Sequence, residues 1–217
     1  DSLGSVLYNY YTTRKVTLTN MIEHSKSVKM GIKKSLMVVD MPFNTYKTNR
    51  DALKNAKIIM KETRCDAVKL EGGKKIINQI CHLIKNNIPV MGHLGVLPQS
   101  IKGKFKSTGK TSHEKRKLLN DSILLEKSGV FAIVLECVET STPKQMTEKL
   151  KIPTIGIGSS KYCDGQVLVT DDLIGLNNTK IRFVKKFINI KKYIKLGLKK
   201  FRSEVKLKKY PSQKHSY

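Results

Sequence analysis

The fold is constrained most by six short apolar runs, rich in Val and Ile, that are spread along the chain. Their sequences are SLMVVDM, DAVKLEGG, IPVMGHLG, VFAIVLEC, IPTIGIGS and GQVLVTD, at residues 35–41, 66–73, 88–95, 130–137, 152–159 and 165–171. Stretches with helical periodicity, including residues 49–63, 74–87 and 113–129, separate the earlier runs. Apolar strands alternating with helices are typical of a parallel sheet covered by helices. The pattern predicts an α/β fold, with residues 1–217 forming one domain.

The charge of the chain is strongly positive, with a formal net charge of +25 at pH 7. Residues 180–209 concentrate it, with 13 Lys or Arg against a single acid, Glu204. Apolar residues recur there every three or four positions, which predicts amphipathic helices with a basic face. That face is either simply solvated or a surface that binds nucleic acid. A short polar tail, residues 210–217, follows.

Membrane insertion and secretion are both disfavoured by the sequence. No apolar run approaches the ~20 residues that span a bilayer, and the first residues lack the pattern of a signal peptide. The four cysteines, Cys65, Cys81, Cys137 and Cys163, form no CxxC pair and have no zinc-site spacing. Free thiols are typical of a reducing compartment. We therefore expect a cytoplasmic protein without a membrane partner.

The stretch GKFKSTGKT, residues 103–111, is superficially similar to a phosphate-binding loop. A P-loop has four residues between its glycines and directly follows a buried strand. Here five residues separate Gly103 from Gly109, and Pro98 interrupts the run before the loop. The sequence therefore does not favour a P-loop.

Charged and polar residues close four of the apolar runs. Asp40 ends the first run, Lys69 and Glu71 the second, His93 the third and Glu136 the fourth. Parallel α/β folds, and barrels above all, build their active sites at the carboxyl ends of their strands. We expect these five side chains to meet at one site.

The chemical types of these five residues indicate a reaction class. Asp40 and Glu71 are hard oxygen donors that suit Mg²⁺. Lys69 lies two residues before Glu71, on the same side of the strand, and would pair with an anionic substrate. Glu136 is available as a separate acid or base. A metal, a cation and a base favour proton abstraction next to a carbonyl. His93 has two open interpretations, a packed histidine or a catalytic one.

Several multi-residue motifs carry a family resemblance. The segments DSLG, VVDMPF, VKLEGG, GHLGVLPQS, LECV and GIGSSKYCDGQVLV follow one another along the chain. Together they closely resemble the ketopantoate hydroxymethyltransferase family, and the match continues to YPSQKHSY at the end. The resemblance implies a (β/α)8 TIM-type barrel of the phosphoenolpyruvate mutase/isocitrate lyase type. The six apolar runs fit its strands three to eight, so the first strand–helix unit is expected to be absent here.

The resemblance also implies an activity and a set of site residues. The reaction would transfer a hydroxymethyl group from 5,10-methylenetetrahydrofolate to 3-methyl-2-oxobutanoate, with Mg²⁺. Glu136 resembles the general base of the family. The residues similar to its keto-acid contacts are Asp1, Ser2, Asp40 and Lys69. The residues similar to its metal ligands are Asp1, Asp40 and Glu71. Asp1 and Ser2 rest on the resemblance alone.

The same resemblance implies a loop and an assembly, and two alternative functions stay open. Residues 103–111 would form a flexible loop over the active site, where Lys106 or Lys110 either meets the glutamate tail of the folate or is solvated. The family forms large homo-oligomers, so a decamer of pentameric rings is expected. A C–C lyase or mutase of the same superfamily is one alternative function. A basic nucleic-acid-binding module using residues 180–209 is another.

Overall fold

A computed structural model describes residues 1–101, 106–178 and 181–217, and the chain divides into two compact units, residues 1–167 and 168–217. The first unit contains one parallel sheet whose strand order follows the chain, with β1 and β6 at its edges. Its strands are β1 Val38–Asp40, β2 Ala67–Glu71, β3 Val90–Gly95, β4 Ala132–Glu136, β5 Thr154–Ile157 and β6 Gly165–Gln166. The predicted parallel α/β architecture is confirmed. The single-domain assignment stays a prediction, because compact units need not fold independently.

Helices precede and connect the strands of the first unit. They are α1 Leu3–Val6, α2 Leu18–Gly31, α3 Asn49–Thr63, α4 Ile77–Lys85, α5 Ser112–Lys127 and α6 Ser141–Lys149. Threonine side chains cap the N-termini of three of these helices. Thr17, Thr48 and Thr111 each accept a hydrogen bond from the backbone amide three residues later. Such N-caps satisfy amides that have no partner inside the helix. Gly129 follows α5 with φ +93°, the left-handed conformation in which glycine commonly ends a helix.

The strand register gives the sheet two different faces. Val68 and Leu70 of β2 and Ile133 and Leu135 of β4 point to the helices and are fully buried. The alternate residues, including Lys69, face the other side, which is the inner side of a barrel. Helix residues Ile80, Leu83 and Leu125 belong to the same hydrophobic core as the outer-face strand residues. The outer face therefore supplies the packing, and the inner face is left for polar side chains.

The sixth apolar run is the one that departs most from its prediction. The run 165–171 forms a strand only at Gly165–Gln166, and Thr170 already begins helix α7, Thr170–Leu173. Asp171 and Asp172 lie in the first turn of this helix, where acidic side chains interact favourably with the helix dipole. A short apolar run cannot be assigned to strand or helix by periodicity alone.

The second unit contains α7 and the long helix α8, Ile190–Lys206. The helix α8 is thus shorter than the amphipathic segment predicted for residues 180–209. Residue 180 lies outside the described residues. The amides of Phe187 and Ile190 donate to the carbonyls of Leu173 and Ile174. These bonds tie residues 187–190 to the end of α7 and prevent an earlier start of α8. No residue of α8 is buried within the chain.

Two further predictions concern cysteines and membranes. All four cysteines carry free thiols, as predicted. In the parts of the chain that the structure describes, every helix is too short or too polar to cross a bilayer.

Candidate active site

The polar side chains at the strand ends form a diagonal row on the inner face of the sheet. Asp40 of β1 is the register partner of Lys69 of β2, and Glu71 is the partner of His93 of β3. Two residues further along β3, Gly95 is the partner of Glu136 of β4. Register partners in neighbouring parallel strands, and residues two apart in one strand, point to the same side. The five predicted side chains are therefore brought together by strand pairing.

An ion pair between Asp40 and Lys69 opens the row. Lys69 Nζ lies 3.0 Å from Asp40 Oδ1, and the backbone nitrogen of Asp1 donates to Asp40 Oδ2 at 2.8 Å. Burial alone would raise the pKa of Asp40, but the charge of Lys69 opposes this effect, and the pKa of Asp40 lies well below its usual range. Burial likewise opposes the charge of Lys69, whereas Asp40 and Glu71 raise the pKa of Lys69 above its ordinary value. Both groups are therefore charged near neutral pH.

His93 connects Lys69 to Glu136. Its Nδ1 lies 3.2 Å from Lys69 Nζ, and its Nε2 lies 3.3 Å from Glu136 Oε2. An ammonium group has only donors, so Lys69 donates to Nδ1 and the neutral ring carries its proton on Nε2. Burial, followed by the charge of Lys69, lowers the pKa of His93 and keeps the ring neutral. The Nε2 proton faces Glu136, although the contact is not aligned as a hydrogen bond in this structure.

Glu71 is the most buried carboxylate of the row. Its Oε2 accepts a hydrogen bond of 3.0 Å from the backbone amide of Gln99, while Oε1 is buried and has no hydrogen-bond partner among the described residues. Burial raises the pKa of Glu71 from its ordinary 4.5 to about 7, and Lys69 only partly offsets this. An unpartnered buried carboxylate oxygen is costly unless a proton or a cation reaches it.

The carboxylates fit Mg²⁺ in their donor chemistry. Asp1 Oδ2 and Glu71 Oε1 are buried oxygens without hydrogen-bond partners, and Asp40 is ionised. Among residues 1–101, 106–178 and 181–217, no three acidic, His or Cys side chains converge closely enough to enclose a metal ion. Mg²⁺ usually keeps several waters and takes only one or two protein carboxylates, with substrate oxygens completing its shell. The donor set is therefore compatible with Mg²⁺, but a closed three-carboxylate cage is not formed.

Asp1 and Ser2 lie just before and at the start of α1. Asp1 is buried, and its backbone nitrogen contacts Asp40; its roles as a metal ligand and a substrate contact stay predictions. Ser2 is exposed, and its hydroxyl does not cap the helix. Asp1 therefore joins the site in the structure, while a substrate contact of Ser2 stays a prediction.

The segment after β3 forms a cavity beside the site. The cavity has a volume of about 330 Å³, and its lining includes Gly95, Val96, Leu97, Ser100, Lys106 and Thr108. The amide of Val96 donates to the carbonyl of Glu136 at 2.8 Å, so the cavity wall is fixed to the strand that carries Glu136. This volume is at the lower end of the range for small-molecule sites.

The loop of residues 103–111 lies only partly within the described structure, since residues 102–105 are outside it. At its far end, the carboxylate of Glu114 accepts from the amides of Lys110 and Thr111, and Thr111 Oγ1 accepts from the amide of Glu114. These helix-start amides would be the phosphate donors of a P-loop. In this structure they belong to a capping box instead, and the prediction against a P-loop stays a prediction.

Sequence reasoning missed two residues that contact the row. Gln99 binds Glu71 through its backbone, and the Tyr46 hydroxyl donates to the Gln99 side chain at 2.7 Å. Gln99 belongs to the GHLGVLPQS motif, so the family resemblance was a usable signal for it. No sequence pattern pointed to Tyr46.

The fold is similar to that of solved α/β barrels. The structure is similar to phosphoenolpyruvate phosphomutase from Streptomyces platensis subsp. rosaceus, with a TM-score of 0.52 at 9% identity over 89% of this chain and 69% of that one. It is also similar to phosphonopyruvate hydrolase, with a TM-score of 0.53 at 9% identity over 72% of this chain and 57% of that one. At such identities the likeness concerns the fold alone. The chain has the α/β barrel architecture of the phosphoenolpyruvate mutase type, represented here by six parallel strands.

Sequence similarity identifies the family. Residues 1–213 match the ketopantoate hydroxymethyltransferase family. The 3-methyl-2-oxobutanoate hydroxymethyltransferase of Pelagibacter ubique is 63% identical over 217 residues, which are 100% of this chain and 84% of that protein. The enzyme of the same name from Rhizobium etli is 44% identical over 221 residues, covering 100% of this chain and 81% of that protein. The chain belongs to the ketopantoate hydroxymethyltransferase family.

Proposed function

We propose that the chain transfers a hydroxymethyl group from 5,10-methylenetetrahydrofolate to 3-methyl-2-oxobutanoate and forms ketopantoate for pantothenate biosynthesis. The observation that carries this proposal is the position of Glu136, a carboxylate on the same inner face as the Asp40–Lys69 ion pair. The end of the row with Lys69 can hold an anionic keto acid, and Glu136 at the other end can remove the proton of that acid.

Lys69 binds the carboxylate of the keto acid in this proposal. An ammonium group has three donors, and Lys69 directs two of them to Asp40 and His93. The third is available to the substrate. Because Asp40 and Glu71 keep Lys69 charged, the attraction to a keto-acid anion persists at neutral pH.

Glu136 removes the proton from C3 of the keto acid. The C3–H bond breaks, its electron pair enters the enolate, and the proton goes to the Glu136 carboxylate. C3 then bonds to the one-carbon unit of the donor, both C–N bonds between that carbon and the folate break, and water supplies the hydroxyl oxygen. The remaining proton of the water and the proton taken up by Glu136 go to the two nitrogens of the tetrahydrofolate that leaves. His93 is a weaker candidate for the base, because Nδ1 already accepts from Lys69 and Nε2 carries the ring proton. We assign His93 to orienting Glu136.

Asp1, Asp40 and Glu71 are the residues that would hold Mg²⁺. When bound, Mg²⁺ polarises the keto carbonyl and lowers the energy of the enolate. The unpartnered oxygens of Asp1 and Glu71 support this assignment. Within the chain, the charge of Lys69 keeps Asp40 ionised. The backbone amide of Gln99 fixes Oε2 of Glu71, the oxygen that is not left for the cation.

The folate donor enters from the cavity that follows β3. This cavity adjoins Glu136 through the Val96 backbone, so a one-carbon unit held there would approach C3 near the base. Lys106 is part of its lining, and its charge would attract the acidic tail of a folate. Contact of Lys106 or Lys110 with that tail stays a prediction.

The proposal is tested by following ketopantoate formation while Mg²⁺ is varied. Asp40→Asn removes a charged ligand, and we expect activity and its Mg²⁺ dependence to be lost together while the fold persists. Asp51→Asn, at the start of α3, is the matched control and should behave like wild type. An unchanged Mg²⁺ titration in Asp40→Asn would refute the metal assignment, and a wild-type protein that forms no ketopantoate would refute the function.

The homo-oligomer and the cytoplasmic location also stay predictions. A decamer of pentameric rings would have to bury apolar side chains that are exposed within one chain, and α8 has several. Those exposed by more than 50% include Tyr193, Leu196, Leu198 and Phe201. Light scattering coupled to size-exclusion chromatography measures the assembly directly. The four free thiols agree with a reducing compartment.

A further inference from the structure

Gln99 has an unusually complete set of partners for a side chain in a short turn. It lies in the 3₁₀ turn Pro98–Ser100 after β3 and is only 2% exposed. Its Nε2 donates to the carbonyl of Met41 at 2.9 Å, and its Oε1 accepts from the Tyr46 hydroxyl at 2.7 Å. Both ends of the amide are thus satisfied in the protein interior, which is the usual state of a buried polar group. The side chain joins the segment after β3 to the segment after β1.

The backbone of the same residue holds Glu71. Pro98 occupies the first position of the turn, so the amide of Gln99 is one of the early amides that a helical turn cannot satisfy internally. It donates instead to Glu71 Oε2 at 3.0 Å. The side-chain bonds to Met41 and Tyr46 fix the orientation of this peptide, because rotating it would leave buried polar atoms without partners.

The result is a carboxylate with two different oxygens. Oε2 of Glu71 is held by Gln99, whereas Oε1 is buried and has no hydrogen-bond partner in the part of the chain that the structure describes. The Tyr46 hydroxyl also lies 3.5 Å from the Glu71 backbone carbonyl, but its single proton is donated to Gln99. Tyr46 therefore acts on Glu71 through Gln99. A free carboxylate oxygen in a fixed position is what a cation ligand requires.

We infer that Gln99 and Tyr46 are positioning residues that set the orientation of Glu71 and so tune the affinity of the site for a divalent cation. The inference deepens the proposed function and rests on its magnesium site. It assigns Gln99 no contact with the substrate. Groups that orient metal ligands typically contribute ~10–100-fold to metal affinity, and the same range is expected here.

The test measures cation binding without turnover. Mn²⁺ replaces Mg²⁺ because free Mn²⁺ is quantified by electron paramagnetic resonance, and the metal-depleted full chain is titrated at fixed pH. Gln99→Met keeps the length of the side chain but removes both amide bonds, and its Kd for Mn²⁺ should rise ~10–100-fold. Tyr46→Phe keeps the ring and should raise the Kd in the same direction by less. Gln79→Met is the matched control, since Gln79 binds only the exposed carbonyl of Lys47.

A kinetic measurement separates positioning from a merely structural role. The Mg²⁺ concentration for half-maximal activity should rise in Gln99→Met, while kcat at saturating Mg²⁺ should fall much less. A variant that is less stable but binds Mn²⁺ like wild type would overturn the inference, because the amide would then only hold the fold. If Gln99→Met does not fold, an unchanged Kd in Tyr46→Phe overturns it instead. A wild-type protein that binds no Mn²⁺ would refute the magnesium site and, with it, this inference.

Discussion

The sharpest prediction concerns Glu136→Gln, which keeps the size of the side chain and removes its basicity. The proposed base accepts the C3 proton through a carboxylate that lies 3.3 Å from His93 Nε2. A glutamine amide can still face that nitrogen through its oxygen, so the packing around His93 should be retained. The substitution therefore isolates proton transfer from the shape of the site.

The magnitude follows from the contribution of a positioned base. General-base catalysis typically supplies ~10²–10⁴-fold in rate, which corresponds to about 3–5 kcal/mol of activation free energy. Turnover of Glu136→Gln should fall by this factor. Binding of the keto acid should change little, because Lys69 and the carboxylates around Asp40 are untouched.

The assay is proton NMR of 3-methyl-2-oxobutanoate in D₂O, with Mg²⁺ present and folate absent. Wild type should exchange the C3 hydrogen for deuterium, and Glu136→Gln should do so ~10²–10⁴-fold more slowly. Glu139→Gln is the matched control, because Glu139 lies three residues further on and binds Ser141 and Lys115 outside the row. Exchange at the wild-type rate in Glu136→Gln would refute Glu136 as the base, and His93 would be tested next.

Two further predictions concern stability. In the metal-free folded protein the pKa of Glu71 is about 7, compared with 4.5 for an ordinary glutamate. Between these two pH values the protein therefore takes up a proton at Glu71 when it folds. The unfolding free energy of wild type relative to Glu71→Gln should therefore decrease by about 3 kcal/mol as pH rises through that window, as measured by urea denaturation. Gly95→Ala should lower the unfolding free energy by about 1–3 kcal/mol and also reduce kcat, since Gly95 has φ +96° and an added methyl would overlap the Glu136 carbonyl oxygen.

Each stability prediction has a clear contrary result. Parallel pH profiles for wild type and Glu71→Gln would show that Glu71 titrates normally, since groups that do not interact with Glu71 contribute equally to both profiles. For Gly95, the control is Gly197→Ala in α8, where an added methyl meets nothing within 4 Å and helix propensity predicts a gain of up to about 1 kcal/mol. A Gly95→Ala protein as stable and active as wild type would contradict the proposed overlap.

The strands and the row of polar side chains were predictable because both are local features of the sequence. A buried parallel strand is a continuous apolar run, and its carboxyl end is where Asp40, Glu71 and Glu136 interrupt that run. Helix α7 was misread as part of a strand, since a few apolar residues before Asp171 fit either structure. Family motifs added Asp1, which no periodicity indicates.

The contacts that determine how the row works could not be read from local patterns. Gln99 lies 58 residues from Met41 and 53 from Tyr46 in the chain, and their hydrogen bonds join irregular segments. The direction of the His93 ring proton is decided by a lysine on the neighbouring strand. Such pairings depend on tertiary placement, which periodicity does not encode.

The register of the sheet has a consequence for how proteins of this kind can change over evolutionary time. The row depends on which residue of one strand lies beside which residue of the next, as with Glu71 and His93. Insertions in the connecting loops leave that pairing intact, so loop length is free to drift. Deletion of one residue inside β2 or β3 would instead turn every later side chain of that strand to the opposite face. We therefore expect natural length variation to accumulate between the strands and to be purged within them.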